Sequence, residues 1–172
     1  MWDIGIYVAI PSVDPLRIYT FDNVLIRSCT EEFNEDLRKA ERDAYVVSDD
    51  YLPPWGLPSF RPYYTWGMST LNVLRAYFTS QGHVTPLIFG RLRLVIGMDV
   101  DLILTQMKGH VLELIGSYVE SLRKTSQKYP HGHNNFYSMY RVDFIIDRNF
   151  KPWITEVPLL SLHPSNLIDL IH

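Results

Sequence analysis

Arg141-Val142-Asp143-Phe144-Ile145-Ile146-Asp147-Arg148-Asn149-Phe150-Lys151-Pro152-Trp153-Ile154-Thr155-Glu156-Val157 is the stretch whose reading decides the fold. Two β-rich runs, Tyr140–Ile146 and Pro152–Val157, flank Asp147–Lys151, whose polar, turn-forming residues suit a hairpin loop. With the turn centred near Asn149, antiparallel pairing sets Ile146 opposite Trp153, Phe144 opposite Thr155 and Asp143 opposite Glu156. Directly opposed side chains have Cβ atoms roughly 4.5–5.5 Å apart, and like charges there are destabilising. A folded hairpin keeps two facing carboxylates when a cation, an arginine or lysine, or a shared proton offsets the repulsion. A hard divalent ion, bound by carboxylate oxygens and nucleotide phosphates, is the natural candidate. Asp143 and Glu156 are therefore candidate metal ligands. A register one residue different would instead leave two edge-strand acids facing water.

The rest of the chain bounds what surrounds that hairpin. Its 172 residues, 47% hydrophobic and 20% charged, are enough for one domain-sized core. A net charge of −3 provides no overall cationic field for nucleic acid or anionic lipid. The single cysteine, Cys29, excludes an intramolecular disulfide and fits a reducing compartment. The N-terminus lacks a basic region and a cleavage motif, and no apolar run approaches the ~18–20 residues that span a bilayer. The expectation is a soluble, cytoplasmic chain.

Trp2–Ser12 reads as a strand, with Ile4, Ile6, Val8 and Ile10 on one face and Gly5, Tyr7 and Ala9 on the other. Val13-Asp14-Pro15 is a tight connection, and Arg17–Phe21 and Val24–Ser28 are strands joined by an Asp22-Asn23 hairpin turn. That start implies an antiparallel meander, and so early a buried strand suggests either a fragment or a gene model that has lost its upstream exons. Asn34 caps a short charged helix within Glu31–Asp43. Pro53–Tyr64 is an aromatic, proline-rich loop that packs over the core, or stacks a base or peptide. Ser69–Ser80 is a helix capped by Ser69, and Leu87–Lys128 is mostly helical, with weak points at Gly97 and Gly109. His131 and His133 form a loop pair without further ligands at zinc-site spacing. Leu167–Ile171 is a short closing helix. The fold class expected is α+β: an antiparallel sheet from Trp2–Ser28 and Tyr137–Val157, with helices packed on one face.

Several of these segments resemble the tubulin–tyrosine-ligase-like family, ATP-grasp ligases that add amino acids to proteins. The resemblance rests on Val142-Asp143-Phe144-Ile145-Ile146-Asp147 followed by Lys151-Pro152-Trp153-Ile154-Thr155-Glu156-Val157. It rests equally on Trp2-Asp3-Ile4-Gly5-Ile6-Tyr7-Val8-Ala9, on Asp14-Pro15-Leu16-Arg17-Ile18-Tyr19, and on Arg27-Ser28-Cys29-Thr30-Glu31-Glu32-Phe33. Tyr45–Pro53 is similar to a divergent branch of the family. The resemblance implies that Asp143 and Glu156 hold a Mg²⁺ bridging the ATP phosphates. It also implies that Asp3 lies near the nucleotide and Arg27 near its phosphates. Two family positions differ: a third metal ligand, asparagine, is here Pro158, and an arginine is here Gly5. Residues 1–172 would be the C-terminal part of the ATP-grasp domain, with the N-terminal half absent. The implied activity is ATP-dependent transfer of an amino acid, most often glutamate, to tubulin C-terminal tails or another acidic protein, in the cytoplasm at microtubules or cilia. The alternative is a non-catalytic ATP-grasp remnant acting as a binding or interaction module.

Overall fold

The computed structural model describes residues 2–29, 36, 38, 41–45, 51–80, 99–128, 137–147 and 149–158. Its centre is β1 (Trp2–Val13), a strand of 12 residues. Ile4, Ile6, Val8 and Ile10 recur at the two-residue period of a strand, share one face and are all buried. β4 (Ser138–Ile146) pairs antiparallel with one edge of β1, from Ile4↔Phe144 to Ile10↔Ser138. The opposite edge of β1 is shared. β2 (Leu16–Thr20) takes its second half and β3 (Leu25–Ser28) takes Trp2 to Gly5. β5 (Pro152–Glu156) lies outside β4.

The expected meander is corrected by this topology. β2 and β3 do not pair with each other; they are successive pieces of one partner of β1, interrupted between Phe21 and Val24. Asp22-Asn23 is therefore not a hairpin turn. The Phe21 N–H still donates to the Tyr7 carbonyl at 3.0 Å, which carries the ladder one residue past β2. Asn23 then turns towards the helices, and its Oδ1 accepts from the Leu71 N–H at 3.1 Å. A side chain read as a turn former is instead a tertiary cap.

That cap sits on α1 (Thr70–Ser80), whose own N-cap is Ser69, accepting from the Asn72 N–H at 3.3 Å. Two of the donors that every helix start leaves unpaired are thus satisfied, one locally and one from the sheet edge. Leu71, Val73 and Leu74 of α1 are buried. α2 (Val100–Ser126) begins at Asp99, whose carboxylate accepts from the Asp101 and Leu102 N–H groups at 3.1 and 3.0 Å. Ile103, Met107 and Val111 form a buried stripe at four-residue spacing. The helix runs unbroken through Gly109, while Leu102 and Tyr118, two of its periodic apolar residues, face solvent. Arg75 bonds Asp101 between the helices, and the Arg123 Nε–H donates to the Val13 carbonyl at 2.9 Å.

Both helices contribute to a core with Ile4, Ile6, Val8, Ile10, Ile26, Val142 and Phe144 of the sheet. The α+β class is thus as the sequence led one to expect. The segment 53–64 forms two short 3₁₀ turns, Pro54–Gly56 and Arg61–Tyr63, and packs Phe60 edge-on against Tyr77 with ring centroids 4.7 Å apart. Among the described residues, no helix is long and apolar enough to cross a membrane. The Asn34-capped helix, the first part of the long helix including Gly97, the His131/His133 loop and the closing helix Leu167–Ile171 lie outside the described residues.

The two views of Asn23 give opposite outcomes for one substitution. In a two-residue hairpin Asp-Gly is favoured, so Asn23→Gly would be neutral or stabilising. As a cap on α1, its loss is expected to destabilise the chain by about 0.5–2 kcal/mol. Urea unfolding followed by far-UV circular dichroism measures the difference, and an unchanged or raised midpoint would contradict the capping role.

Candidate functional site

The hairpin is fixed by Asp147. Its carboxylate accepts from the Asn149 N–H at 2.8 Å, the Lys151 N–H at 3.0 Å and the Trp153 indole N–H at 2.9 Å. These bonds, the Trp153 bond foremost, hold its carboxyl below the usual carboxylate value. Phe150 completes the turn with φ of 62°, in the left-handed region, and its N–H donates to the Asp147 carbonyl at 2.9 Å.

This turn sets a register one residue from the one expected. Ile146 pairs with Pro152, Ile145 with Trp153 and Phe144 with Ile154, not Ile146 with Trp153 or Phe144 with Thr155. A bulge at Thr155 then inserts one extra residue on β5, and Asp143 pairs with Glu156 as the sequence reading placed it. The Thr155 hydroxyl donates to the Asp143 carbonyl at 3.0 Å and so stabilises the bulge. Past it, the Arg141 N–H donates to the Pro158 carbonyl at 3.3 Å.

Alternation along the strands divides the sheet chemically. Val142 and Phe144 point into the core, and Asp143 between them points to the opposite face. On that face its neighbours across β1 are fixed by register: Gly5 opposite Asp143, Tyr7 opposite Arg141, and Asp3 opposite Arg27 of β3. Arg27 bridges two carboxylates. Its Nε–H donates to Asp3 Oδ1 at 3.1 Å, and its Nη2 to Asp3 Oδ2 at 2.6 Å and Asp143 Oδ2 at 2.8 Å. Arg141 grips Asp143 with a fork, Nε to Oδ1 at 2.8 Å and Nη2 to Oδ2 at 2.9 Å. Under these two guanidinium groups Asp143 has 0% solvent exposure.

Gly5 makes this packing possible. A Cβ there would lie 2.7 Å from Asp143 Oδ1 and 3.0 Å from Arg141 Cδ, so any larger residue would displace both. Burial pushes the Asp3 carboxyl above its usual value, against the pull of Arg27, and the nearby Asp143 adds to the rise. Burial works against the charge on Arg141, but its hydrogen bonds to Asp143 hold its pKa above the ordinary arginine value.

Asp3, Arg27 and Asp143, all singled out in the sequence, thus converge on one cluster. Glu156 is the register partner of Asp143 but is exposed and stands outside the network. Arg141 is the member that the sequence reading missed. The available signal was its position two residues before Asp143 on one strand, which puts both on one face. Arg17, the other arginine of the N-terminal strands, is exposed at the sheet edge.

Arg27→Met strands Asp3 and takes one partner from Asp143. Breaking a buried pair in this way is expected to cost about 3–5 kcal/mol. Asp3 already holds its proton more tightly in the folded chain, and removing Arg27 strengthens that preference. A raised folded pKa favours the fold below the unfolded value, and the benefit is lost as pH rises through the folded one. The deficit of Arg27→Met, from urea unfolding at several pH values, should therefore be largest near neutrality and shrink on acidification. A deficit independent of pH would show that no carboxylate is stranded.

The sequence profile of the Tubulin-tyrosine ligase family matches residues 2–61 and 89–165. "Probable tubulin polyglutamylase ttll-15" of Caenorhabditis elegans is 32% identical over 158 residues, covering 90% of this chain and 27% of the relative. "Tubulin monoglutamylase TTLL4" of Homo sapiens is 27% identical, over 98% of this chain and 13% of the relative. "Probable alpha-tubulin polyglutamylase Ttll1" of Tetrahymena thermophila is 25% identical, over 91% of this chain and 32% of the relative. The chain spans less than a third of the length of these relatives. Matched over well more than half of its residues, this chain belongs to the tubulin-tyrosine ligase family.

Proposed function

We propose that this chain forms the phosphate-facing, C-terminal part of an ATP-dependent amino-acid ligase that modifies tubulin tails. Arg27 is the observation that carries the proposal. Its side chain is 12% exposed, locked between Asp3 and Asp143, and uses only Nε and Nη2 to hold them. A guanidinium immobilised in this way, with donors to spare, is suited to hydrogen-bond phosphate oxygens. Asp3 positions it. Tubulin as acceptor and glutamate as the amino acid are supported by the names of the relatives, which are tubulin glutamylases; a place in the cytoplasm at microtubules or cilia is part of the same proposal.

Mg²⁺ in this family reading would be held by Asp143 and Glu156. The donor set does not fit such an ion. Glu156 offers a free carboxylate, but both oxygens of Asp143 already accept from guanidinium N–H groups, and arginine cannot give up its charge. Pro158 adds no side-chain oxygen. Among the described residues no three histidine, cysteine or carboxylate side chains converge.

That closure of Asp143 favours a second reading for the chain by itself: a nucleotide-binding module without turnover. Ligase chemistry of this kind depends on aligning two anionic partners and neutralising developing charge. Losing one such electrostatic contact typically costs on the order of 10²–10³ in rate. The purified chain, incubated with tubulin, ATP, Mg²⁺ and radiolabelled glutamate, glycine or tyrosine, is expected to retain ATP on equilibrium dialysis. It should incorporate no label beyond an Asp143→Ala/Glu156→Ala control. Label above that control would overturn the module reading, and failure to retain ATP would overturn the nucleotide site.

A further inference from the structure

The fork of Arg141 on Asp143 stands where a metal would have to sit. Asp143 Oδ2 accepts from two guanidinium nitrogens, Arg27 Nη2 at 2.8 Å and Arg141 Nη2 at 2.9 Å. Its Oδ1 accepts from Arg141 Nε at 2.8 Å and is backed by Gly5, where even a methyl group would come within 2.7 Å. A hard cation needs oxygen ligands with free lone pairs at about 2.0–2.6 Å. It would also have to enter beside two fixed positive charges in a partly desolvated site, where like-charge repulsion is weakly screened. Asp143 is thus spent on orienting arginines.

The arginines are not spent. Each uses Nε and Nη2, and among the described residues neither Nη1 takes a partner. No buried side-chain polar atom in the described residues lacks a partner, so both Nη1 groups reach solvent. Two rigid donors from β3 and β4, the strands on either side of β1, therefore lie on one side of the sheet. A charge-assisted hydrogen bond from each Nη1 suits a phosphate oxygen. The four charges of Asp3, Arg27, Asp143 and Arg141 cancel, so attraction comes from aimed donors rather than from net charge.

We infer that Arg141 and Arg27 bind the phosphates of a nucleoside triphosphate directly, and that Arg141 does at Asp143 what a divalent cation would do, so that binding needs no metal. The inference rests on the nucleotide reading of this sheet face. It adds a residue, Arg141, and a property, independence of Mg²⁺, that this reading does not contain.

Calorimetric titration of ATP into the full 172-residue chain, once with Mg²⁺ and once in excess EDTA, separates the two. Affinity in EDTA is expected to equal or exceed that with Mg²⁺, because the uncomplexed nucleotide presents more charge to the guanidinium donors. Arg141→Gln should weaken binding by about 10- to 100-fold in both buffers, the worth of a charge-assisted hydrogen bond. Arg141→Lys should recover part of it, a point charge replacing a fork. Glu156→Gln should leave affinity unchanged or raise it, since Glu156 is here an exposed like charge and not a ligand. Inorganic tripolyphosphate should compete. Binding that appears only with Mg²⁺, or that Glu156→Gln weakens and Arg141→Gln spares, would overturn the inference and leave the nucleotide site standing. No binding in either buffer would overturn the nucleotide site itself. The wild-type comparison needs no variant to fold, and circular dichroism checks each one that is used.

Discussion

A carboxylate with no exposure to water, in the middle of a β-strand, is the constraint on which this structure depends. An unpaired charge in that position would cost several kcal/mol, so its neighbours are dictated. Arg27 must reach Asp143 from β3, although β1 separates the two strands. Arg141 must fold back along its own strand, and β1 must carry glycine where its backbone passes beneath both. Asp3 then anchors Arg27 from the register position opposite it. Four strand positions are thereby specified by one buried charge.

The same alternation explains why one sheet serves two purposes. Even-numbered residues of β1 and β4 face α1 and α2 and supply most of the sheet's share of the core, while odd-numbered ones carry the ionic cluster. A one-residue slip of β4 against β1 would turn β4 over, burying Arg141 and Asp143 among Met107 and Val111 and expelling Val142 and Phe144 from the core. The core and the cluster therefore enforce the same register for opposite reasons. Core packing resists charge on one side, and ion pairing resists its dispersal on the other. Arg123, tied to the Val13 carbonyl at the end of β1, and Asn23, tied to Leu71 from the break between β2 and β3, fix the helices against the sheet by polar contacts.

How much of this was legible in the sequence varies with the physical cause. Strand alternation was legible, because Ile4, Ile6, Val8 and Ile10 announce a buried face and polar Asp147–Lys151 announces a turn. The Asp143–Glu156 pairing was reached by compensating differences. The turn with Phe150 in the left-handed region shifts the register by one, and the Thr155 bulge shifts it back. Neither feature has a strong sequence signal, since phenylalanine is an uncommon residue at positive φ and a bulge depends on its partner strand. The Asp22-Asn23 connection misled for a related reason. Local turn chemistry cannot distinguish a hairpin from a break in a strand when the deciding bond, to Leu71, lies 48 residues away. Arg141 was hidden because its role exists only across strands.

Gly5 and Arg141 belong to a single contact, and this bears on how the site is understood. By resemblance to the family, position 5 is expected to carry an arginine on β1. Here that position has no side chain, and the space over it is filled by the stem of an arginine rooted on β4. A guanidinium is thus still present on the same face of the same sheet, delivered from the neighbouring strand. What changes is its first partner. An arginine on β1 would reach towards Asp143 from across the ladder, whereas Arg141, two residues along the same strand, closes a fork on both its oxygens. The cation is retained and the carboxylate is consumed. A site arranged in this way presents two fixed guanidinium groups where Asp143 would otherwise present a free carboxylate.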